Sequence, residues 1–424
     1  MIQLFLPYSS IVMAQDNLDI SSIIELPENE NAILVEKKTQ TLFLYSSKSD
    51  NLFALFQVPC STGEQNGGKQ KTGDKKTPEG VYFLNEEYED KYLSPIYGEK
   101  AFSMDYPNSI DQRDGKNGSA IWIHGTNKKL EPFDSNGCIA LENSNIIKLS
   151  EYVHLNSTPV IVVEEINKIN RSILIKAKQD ITFLLDQWIK AIEIGSYGNY
   201  LSFYSPGYLP DINWWEQWLE IRKLANKPDS KLRVERDRTG IYYHDHVFVV
   251  LFDYIMMFEN KKILLGKRKL FLENQNNNYK IIGDNFQSIP KDFQSLQFPK
   301  VAAAKMLVES ASKKESVMET INHWLTAWSA KDMDKYESFY APTFYSDGMN
   351  KKKWVQRKAI LAKKYDFINV LGKDFKVKLE KNTCEVTFFQ EYESDTLLDQ
   401  GTKKLKLVNK GGLWKIYQET WRAK

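Results

Sequence analysis

IWIHGTNKKLEPFDSNGCIA, residues 121–140, carries both the fold and the chemistry of this chain. Ala120 to Ile123 is apolar, rich in β-favouring residues and too short for a helix. It reads as a buried strand that delivers His124 and Gly125 at its end. Farther on, Ser135-Asn136-Gly137 leads into Cys138 and Ile139. A free thiol near pKa 8.5 is only about 3% thiolate at pH 7, and a neighbouring imidazole takes its proton and stabilises the anion. Cys138 is therefore the candidate nucleophile, with His124 as base and later as acid. Gly137 has no side chain directly before the nucleophile, which permits a tight turn and lets backbone N–H groups approach a developing oxyanion.

Outward from this stretch the chain reads as strands. AILVEKKTQTLFLY, Ala32 to Tyr45, places two β-rich runs around a Lys-Lys-Thr-Gln turn and predicts a hairpin. From Phe53 to Phe83 a strand runs through STGEQNGGKQKTGDKKTPEG into VYF, so a long Gly, Lys and Thr loop separates two strands, and such loops carry function. PVIVV, Pro159 to Val163, is a further strand. A β-rich domain over residues 20–164 follows.

The order His124-Gly125, then Ser135-x-Gly137-Cys138-Ile139, together with the ILVEKKTQTLFLY, STG and KTPEGVYF segments upstream, resembles the L,D-transpeptidase (YkuD) family over residues 32–163. The resemblance implies that the Gly125 carbonyl orients the imidazole and that Ser135, Asn136 and Gly137 serve the substrate and oxyanion. It implies a peptidoglycan stem tetrapeptide as substrate, cut between the L-centre of its diamino acid and the terminal D-Ala. Lys71, Trp122 and Thr126 are further substrate-binding candidates; the lysine could hold a stem-peptide carboxylate as a point charge, though a solvated loop explains it as well. If a second stem's amine accepts the acyl group, the product is a 3-3 crosslink; if water does, a trimmed tripeptide. Crosslinking members of the family carry Arg after the S-x-G-C-I segment, whereas Ala140 stands here. That departure favours L,D-carboxypeptidase action. An inactive wall-binding scaffold is the alternative of another class, against which the intact His124, Gly137 and Cys138 argue. An unrelated cysteine peptidase would not require the STG and KTPEG segments.

The rest of the chain contains a repeat. Sliding it by 136 residues places Trp188 on Trp324, Ala191 on Ala327, Tyr200 on Tyr336, Ser202-Phe203-Tyr204 on Ser338-Phe339-Tyr340, Pro206 on Pro342, Asp211 on Asp347 and Trp218 on Trp354. With one residue lost, Gly266, Leu270, Leu272 and Ile281 then fall on Gly401, Leu405, Leu407 and Ile416. A shared order of aromatic, Pro and Trp positions over this length indicates duplication. Each copy reads as helices followed by long antiparallel strands and resembles the NTF2-like family, whose members bind ligands, dimerise or catalyse, so a homodimer is compatible with it and fold alone assigns no function. The expected architecture is multidomain: a β-rich YkuD-type catalytic domain over 20–164, a linker over 165–178, and tandem α+β NTF2-like domains over 179–312 and 316–424. A YkuD-type domain followed by an NTF2-like one resembles the cell-shape-determining L,D-carboxypeptidases of helical bacteria.

Composition sets outer limits. At 424 residues one core is not enough. A net charge of +2 without a polybasic block gives no reason to expect nucleic acid as partner. Three widely separated cysteines, Cys60, Cys138 and Cys384, make a disulfide framework unexpected, and Cys60 and Cys384 read as core residues. His244 and His246 form an H-D-H that strand alternation would put on one face, but two ligands make a weak metal site, so neither metal nor cofactor is expected. His154 and His323 read as a turn and a surface residue. No apolar run is long enough to span a membrane. Ile2 to Ala14 resembles the end of a secretory signal, which points to an exported or periplasmic protein facing the cell wall.

Overall fold

The runs on either side of Lys37-Lys38-Thr39-Gln40 pair as an antiparallel hairpin, Asn31–Glu36 with Thr41–Lys48. In the computed structural model, which describes residues 18–49, 51–226, 231–276 and 278–424, this hairpin lies within an eight-stranded sheet. The signal-like segment Ile2 to Ala14 falls outside the described residues. The sheet order is Asn51–Pro59, Thr41–Lys48, Asn31–Glu36, Pro159–Val163, Gly80–Glu89, Lys100–Met104, Trp122–His124 and Ile139–Ala140. Pro159–Val163 runs parallel to Asn31–Glu36, and the last pair is also parallel.

The central strands are buried on both faces, which is why NAILVE and PVIVV are nearly continuous apolar runs rather than alternating ones. Ile33, Val35, Tyr82, Leu84, Val160 and Val162 face one core, closed by Ile146 and Leu149 of the Asn143–Ser150 helix. Their neighbours Ala32, Leu34, Val81, Phe83, Ile161 and Val163 face a second core, shared with Tyr242, Val249, Leu251, Phe271 and Ile282 of the first repeat.

The chain divides into two compact units, Met1–Ala304 and Lys305–Lys424. Within the first unit the repeat sheet has the order Asn278–Ser288, Lys261–Gln275, Val247–Phe258, Arg233–His244 and Ile23–Glu25. Its edge strand thus comes from the N-terminal side of the β-rich domain, and Asp105 of that domain pairs with the buried Lys269 of the repeat at 2.6 Å. The expected separation at residues 165–178 is corrected accordingly: Lys168–Asn170 pairs with Leu18–Ile20, and a helix begins at Arg171 and runs to Ile194, capped by the Asn170 side chain. Amphipathic spacing from Leu174 to Ile192 makes this one helix, with Leu174, Ala177, Ile181, Leu185 and Trp188 buried. The expected boundary at 312–316 is likewise helical, inside Pro299–Ser329.

The second unit holds a four-stranded antiparallel sheet, Ile368–Leu379, Thr383–Ser394, Leu398–Lys410 and Leu413–Ala423, over a core that includes Trp324, Trp328, Tyr336, Tyr340 and Trp354. The two copies repeat their internal contacts. Trp188 Nε1 donates to Tyr204 at 3.0 Å, and Trp324 Nε1 donates to Tyr340 at 2.9 Å. Tyr200 and Tyr336 donate to the Tyr204 and Tyr340 hydroxyls at 2.7 and 2.6 Å. Isolated bridges join Tyr204 to Ile281 and Tyr340 to Ile416. A buried ion pair also recurs, Arg268 with Asp284 and Lys403 with Glu419, and the tyrosines Tyr204 and Tyr340 also bond to these carboxylates. Such a network, once buried, holds each member to the others, because an unpaired polar group there is costly.

Candidate active site

Strand pairing brings the two reactive side chains together. Trp122–His124 lies antiparallel to Lys100–Met104 and parallel to Ile139–Ala140, with Ile123 opposite Ile139 and His124 opposite Ala140. Cys138, one residue ahead of that partner strand, therefore falls level with Trp122 at the start of the histidine strand. Both side chains line a cavity of about 270 Å³ together with Ser61, Tyr97, Thr126, Ser135 and Asn136.

His124 is buried, and its Nδ1 lies 2.6 Å from the Gly125 carbonyl. A carbonyl oxygen only accepts, so Nδ1 carries the proton and Nε2 keeps its lone pair. Burial lowers the proton affinity of the ring below its ordinary value, while the carbonyl contact acts the other way. Tyr97 stands edge-on to the imidazole, ring centroids 5.0 Å apart at 88°, and limits its rotation.

Burial likewise pushes the Cys138 thiol up, opposed by a backbone hydrogen bond from Trp122 and by the charge of Lys69. Its Sγ lies 3.5 Å from the Ala120 carbonyl. A thiol held in the neutral form beside a neutral imidazole is a thiol that needs a base.

The Ser135–Cys138 turn is braced from inside and below. Ser135 Oγ donates to the Cys138 carbonyl at 2.7 Å and accepts the Gly137 N–H at 3.1 Å. That N–H is therefore engaged within the turn, so Gly137 serves through its missing side chain. Its φ is +121°, and a Cβ there would stand 2.7 Å from the Lys76 carbonyl. Beneath it the Ser61-Thr62-Gly63 segment carries the turn: Ser135 N–H donates to the Thr62 carbonyl at 3.1 Å and Asp134 N–H to Ser61 Oγ at 2.9 Å.

Thr126 lines the cavity, and its Oγ1 accepts the Lys128 N–H at 3.1 Å. Lys71 and Trp122 do not line it. Lys71 is exposed, with its main chain bonded to Asp74 and Lys69. Trp122 stacks between Tyr88 and Tyr97, at centroid distances of 5.0 and 4.9 Å, and the second of these rings takes the place expected for Trp122. Sequence reasoning missed Tyr97, whose Pro95-Ile96-Tyr97 turn has no periodic signal, and the Ala120 carbonyl, set by a left-handed φ of 56°. Cys60 and Cys384 are buried, with their thiols pushed up to about 12. The expectation that His244 and His246 share a strand face is corrected: His244 ends its strand, while Asp245 and His246 form the turn at φ 41° and 70°. Among the described residues no cluster of three or more His, Cys, Asp or Glu could hold a metal. No helix there is long and apolar enough to cross a membrane.

Residues 30–162 match the family profile of the YkuD L,D-transpeptidase catalytic domain, and residues 316–420 match that of the Cds6 C-terminal NTF2-like domain. The chain is 29% identical over 121 residues to YafK of Escherichia coli K12, which carries an L,D-transpeptidase name; the match covers 28% of this chain and 45% of that protein, so less than half of the curated relative is spanned. Among solved structures it is similar to the helical cell shape determining protein Pgp2 of Campylobacter jejuni, at 25% identity and a TM-score of 0.48 over 62% of this chain and 95% of that one. Bd1075 of Bdellovibrio bacteriovorus matches 96% of this chain and 99% of its own at 20% identity and a TM-score of 0.36.

Proposed function

We propose, on the premise that residues 30–162 form a YkuD-type L,D-transpeptidase catalytic domain, that this protein is a peptidoglycan-modifying cysteine enzyme acting as an L,D-carboxypeptidase on stem tetrapeptides. The observation that carries the proposal is the pairing in one cavity of the Cys138 thiol with an imidazole at His124 whose Nδ1 is fixed on the Gly125 carbonyl. Nε2 takes the thiol proton as Sγ attacks the carbonyl carbon of the L-centre. The amides of Asn136 and Cys138 receive the oxyanion. On collapse the imidazolium gives its proton to the amine of the departing D-Ala, leaving a thioester. Water, deprotonated by Nε2, then attacks the thioester; the thiolate leaves, recovers the proton, and a tripeptide carboxylate is released.

Charge around the cavity supports a substrate bearing both an amine and carboxylates, since Glu64, Glu131 and Asp134 share its wall with Lys128 and Lys129. Ala140 lines the same wall without a cation, which supports water rather than a second stem peptide as acceptor. The recurring Trp, Tyr and carboxylate contacts support an NTF2-like identity for the first copy as well as the second. The succession of these domains supports a role in wall remodelling and cell shape on the exported side of the membrane.

The test is incubation of the protein and its Cys138→Ala variant with disaccharide tetrapeptides and muropeptide dimers, with products read by mass spectrometry. Cys138-dependent tripeptide and free D-Ala are expected. Dimers joined 3-3 would replace hydrolysis by transpeptidation, and no product from either substrate would sink the enzymatic reading.

A further inference from the structure

The two copies of the repeat use the outward face of their sheets differently. In the first copy Val249 and Leu251 stand opposite Phe271 and Lys269 of the next strand, and all four are buried. The three apolar residues share a core with Ala32, Leu34 and Phe83 of the β-rich domain. The Lys269 side chain is 6% exposed; its ammonium lies over the Phe83 ring at 5.3 Å and receives the Asp105 carboxylate of that domain at 2.6 Å. This sheet face is therefore a seat for another folded sheet, and its lysine is the point where the occupant's charge is received.

The same positions in the second copy are polar. The offset that lays Leu270 and Leu272 on Leu405 and Leu407 lays Lys269 on Lys404 and Phe271 on Lys406. Cross-strand register puts Thr387 and Glu385 where Leu251 and Val249 stand. Strand alternation separates this face from the core, into which Val386, Leu405 and Leu407 point instead. The Lys404 side chain pairs with Glu385 at 3.0 Å and is still 42% exposed. Arg422, level with Thr402, is exposed as well. Together with Lys406 and Trp421 these side chains line an open groove of about 570 Å³. Lys376 and Lys378, opposite Thr387 and Glu385, add positive charge to the same face. Permanently covered faces are apolar, as in the first copy, whereas charged ones stay solvated while empty and suit partners that come and go.

We infer that the outward sheet face of the second copy, centred on Lys404, Lys406 and Arg422, docks an acidic β-strand or sheet face of a partner protein. Lys404 and Lys406 lie two residues apart on one strand, about 7 Å, so carboxylates at alternate positions of an extended partner segment match them. Asp105 meets Lys269 in this way in the first copy. A second copy of the same face is the wrong occupant, because two such faces would set lysine against lysine. The inference is independent of the chemistry at Cys138.

The test uses the full chain and a fluorescein-labelled peptide of alternating Glu and Thr, with the Gln and Thr peptide as its neutral counterpart, and reads binding by anisotropy at low salt. The acidic peptide is expected to bind, the neutral one not, and added salt to weaken the binding. Lys404→Glu with Lys406→Glu replaces two attractions by two repulsions; at roughly a factor of two for each exposed pair, affinity should fall about tenfold. Lys404→Gln with Lys406→Gln should lower it about fourfold, and this pair carries the measurement if the charge reversal does not fold. Lys352→Glu with Lys363→Glu, the same change of charge at exposed positions of the Lys351–Lys364 helix, should leave the affinity unchanged. Equal affinity in all variants, equal binding of the two peptides, or no binding overturns the inference. Vesicles of phosphatidylglycerol and phosphatidylcholine and purified sacculi are sedimented with the same variants. Capture by either that needs Lys404 and Lys406, with no peptide binding, would give the face to a membrane or to the wall and equally overturn it.

Discussion

Replacing Gly137 with alanine should be disproportionately costly for a single added methyl group, because the residue is buried in its turn. The residue sits at φ +121°, and its new Cβ would stand 2.7 Å from the main-chain carbonyl of Lys76. A side chain in that region of φ costs on the order of 1–3 kcal/mol. The contact cannot be relieved by a rotamer, because the obstacle is backbone, and Lys76 is itself pinned through its N–H to Asp74. A loss of about 2–4 kcal/mol follows if the turn stays in place, or somewhat less if it shifts. At about 2–4 °C per kcal/mol for a unit of this size, the first transition should fall by roughly 4–16 °C. A shift of the turn would carry Cys138 with it, and a displacement near 1 Å costs about a hundredfold in rate. Calorimetry and tripeptide release from a disaccharide tetrapeptide check the two consequences. A variant with wild-type melting and wild-type turnover would show that the turn is not fixed by the Lys76 carbonyl, and the account of the nucleophile's placement would fail.

Cys138→Ala should abolish turnover while moving the melting temperature by no more than about 2 °C, because the thiol makes weak sulfur contacts, with the Ala120 carbonyl and the Trp122 N–H; a large drop in melting temperature would mark the thiol as structural. Because burial lowers the His124 value, the acid limb of kcat/KM should have its midpoint below about 6.5, where an unburied imidazole would titrate. The same shift means that the folded state resists protonation, so stability is fully present above about 6.5 and declines as pH falls through the lowered value; an acid limb above 6.5 would contradict the geometry. Tyr340→Phe strips a partner from Trp324 Nε1 and from the buried Glu419, and should cost the second unit about 2–4 kcal/mol in urea unfolding. Tyr204→Phe should cost the first unit a similar amount, and a near-zero loss in either would remove the stability argument for the recurring network.

The candidate segment was legible because its chemistry is local. His124 at a strand end and Ser135 through Cys138 in a turn with glycine before the thiol are each short enough to be read from residue types and order, whereas the support that Ser61 and Thr62 give the turn came from the structure. The duplication was legible for a different reason: the aromatic positions from Trp188 to Trp218 recur at fixed distance, and the structure shows them making the same contacts twice. The matching ion pairs, Arg268 with Asp284 and Lys403 with Glu419, were not legible, because an exchange of Arg for Lys and Asp for Glu hides the correspondence that burial makes plain.

By itself the sequence determined the strands, the Gly137 turn and the recurrence of one aromatic pattern, and it put Cys138 and His124 forward as candidates, since each depends on periodicity, backbone freedom or chemistry within a few residues. Only the tertiary structure decided which faces those strands bury. NAILVE and PVIVV read as apolar runs, but nothing in them tells that alternate residues belong to different cores, or that the second core is completed by Tyr242, Val249 and Phe271 of the first repeat. The same holds for Lys69, whose row of neighbouring lysines looks solvated until Asp74 and Gly118 enclose it. Burial and charge pairing join residues far apart in the chain, and sequence separation carries no record of that distance in space.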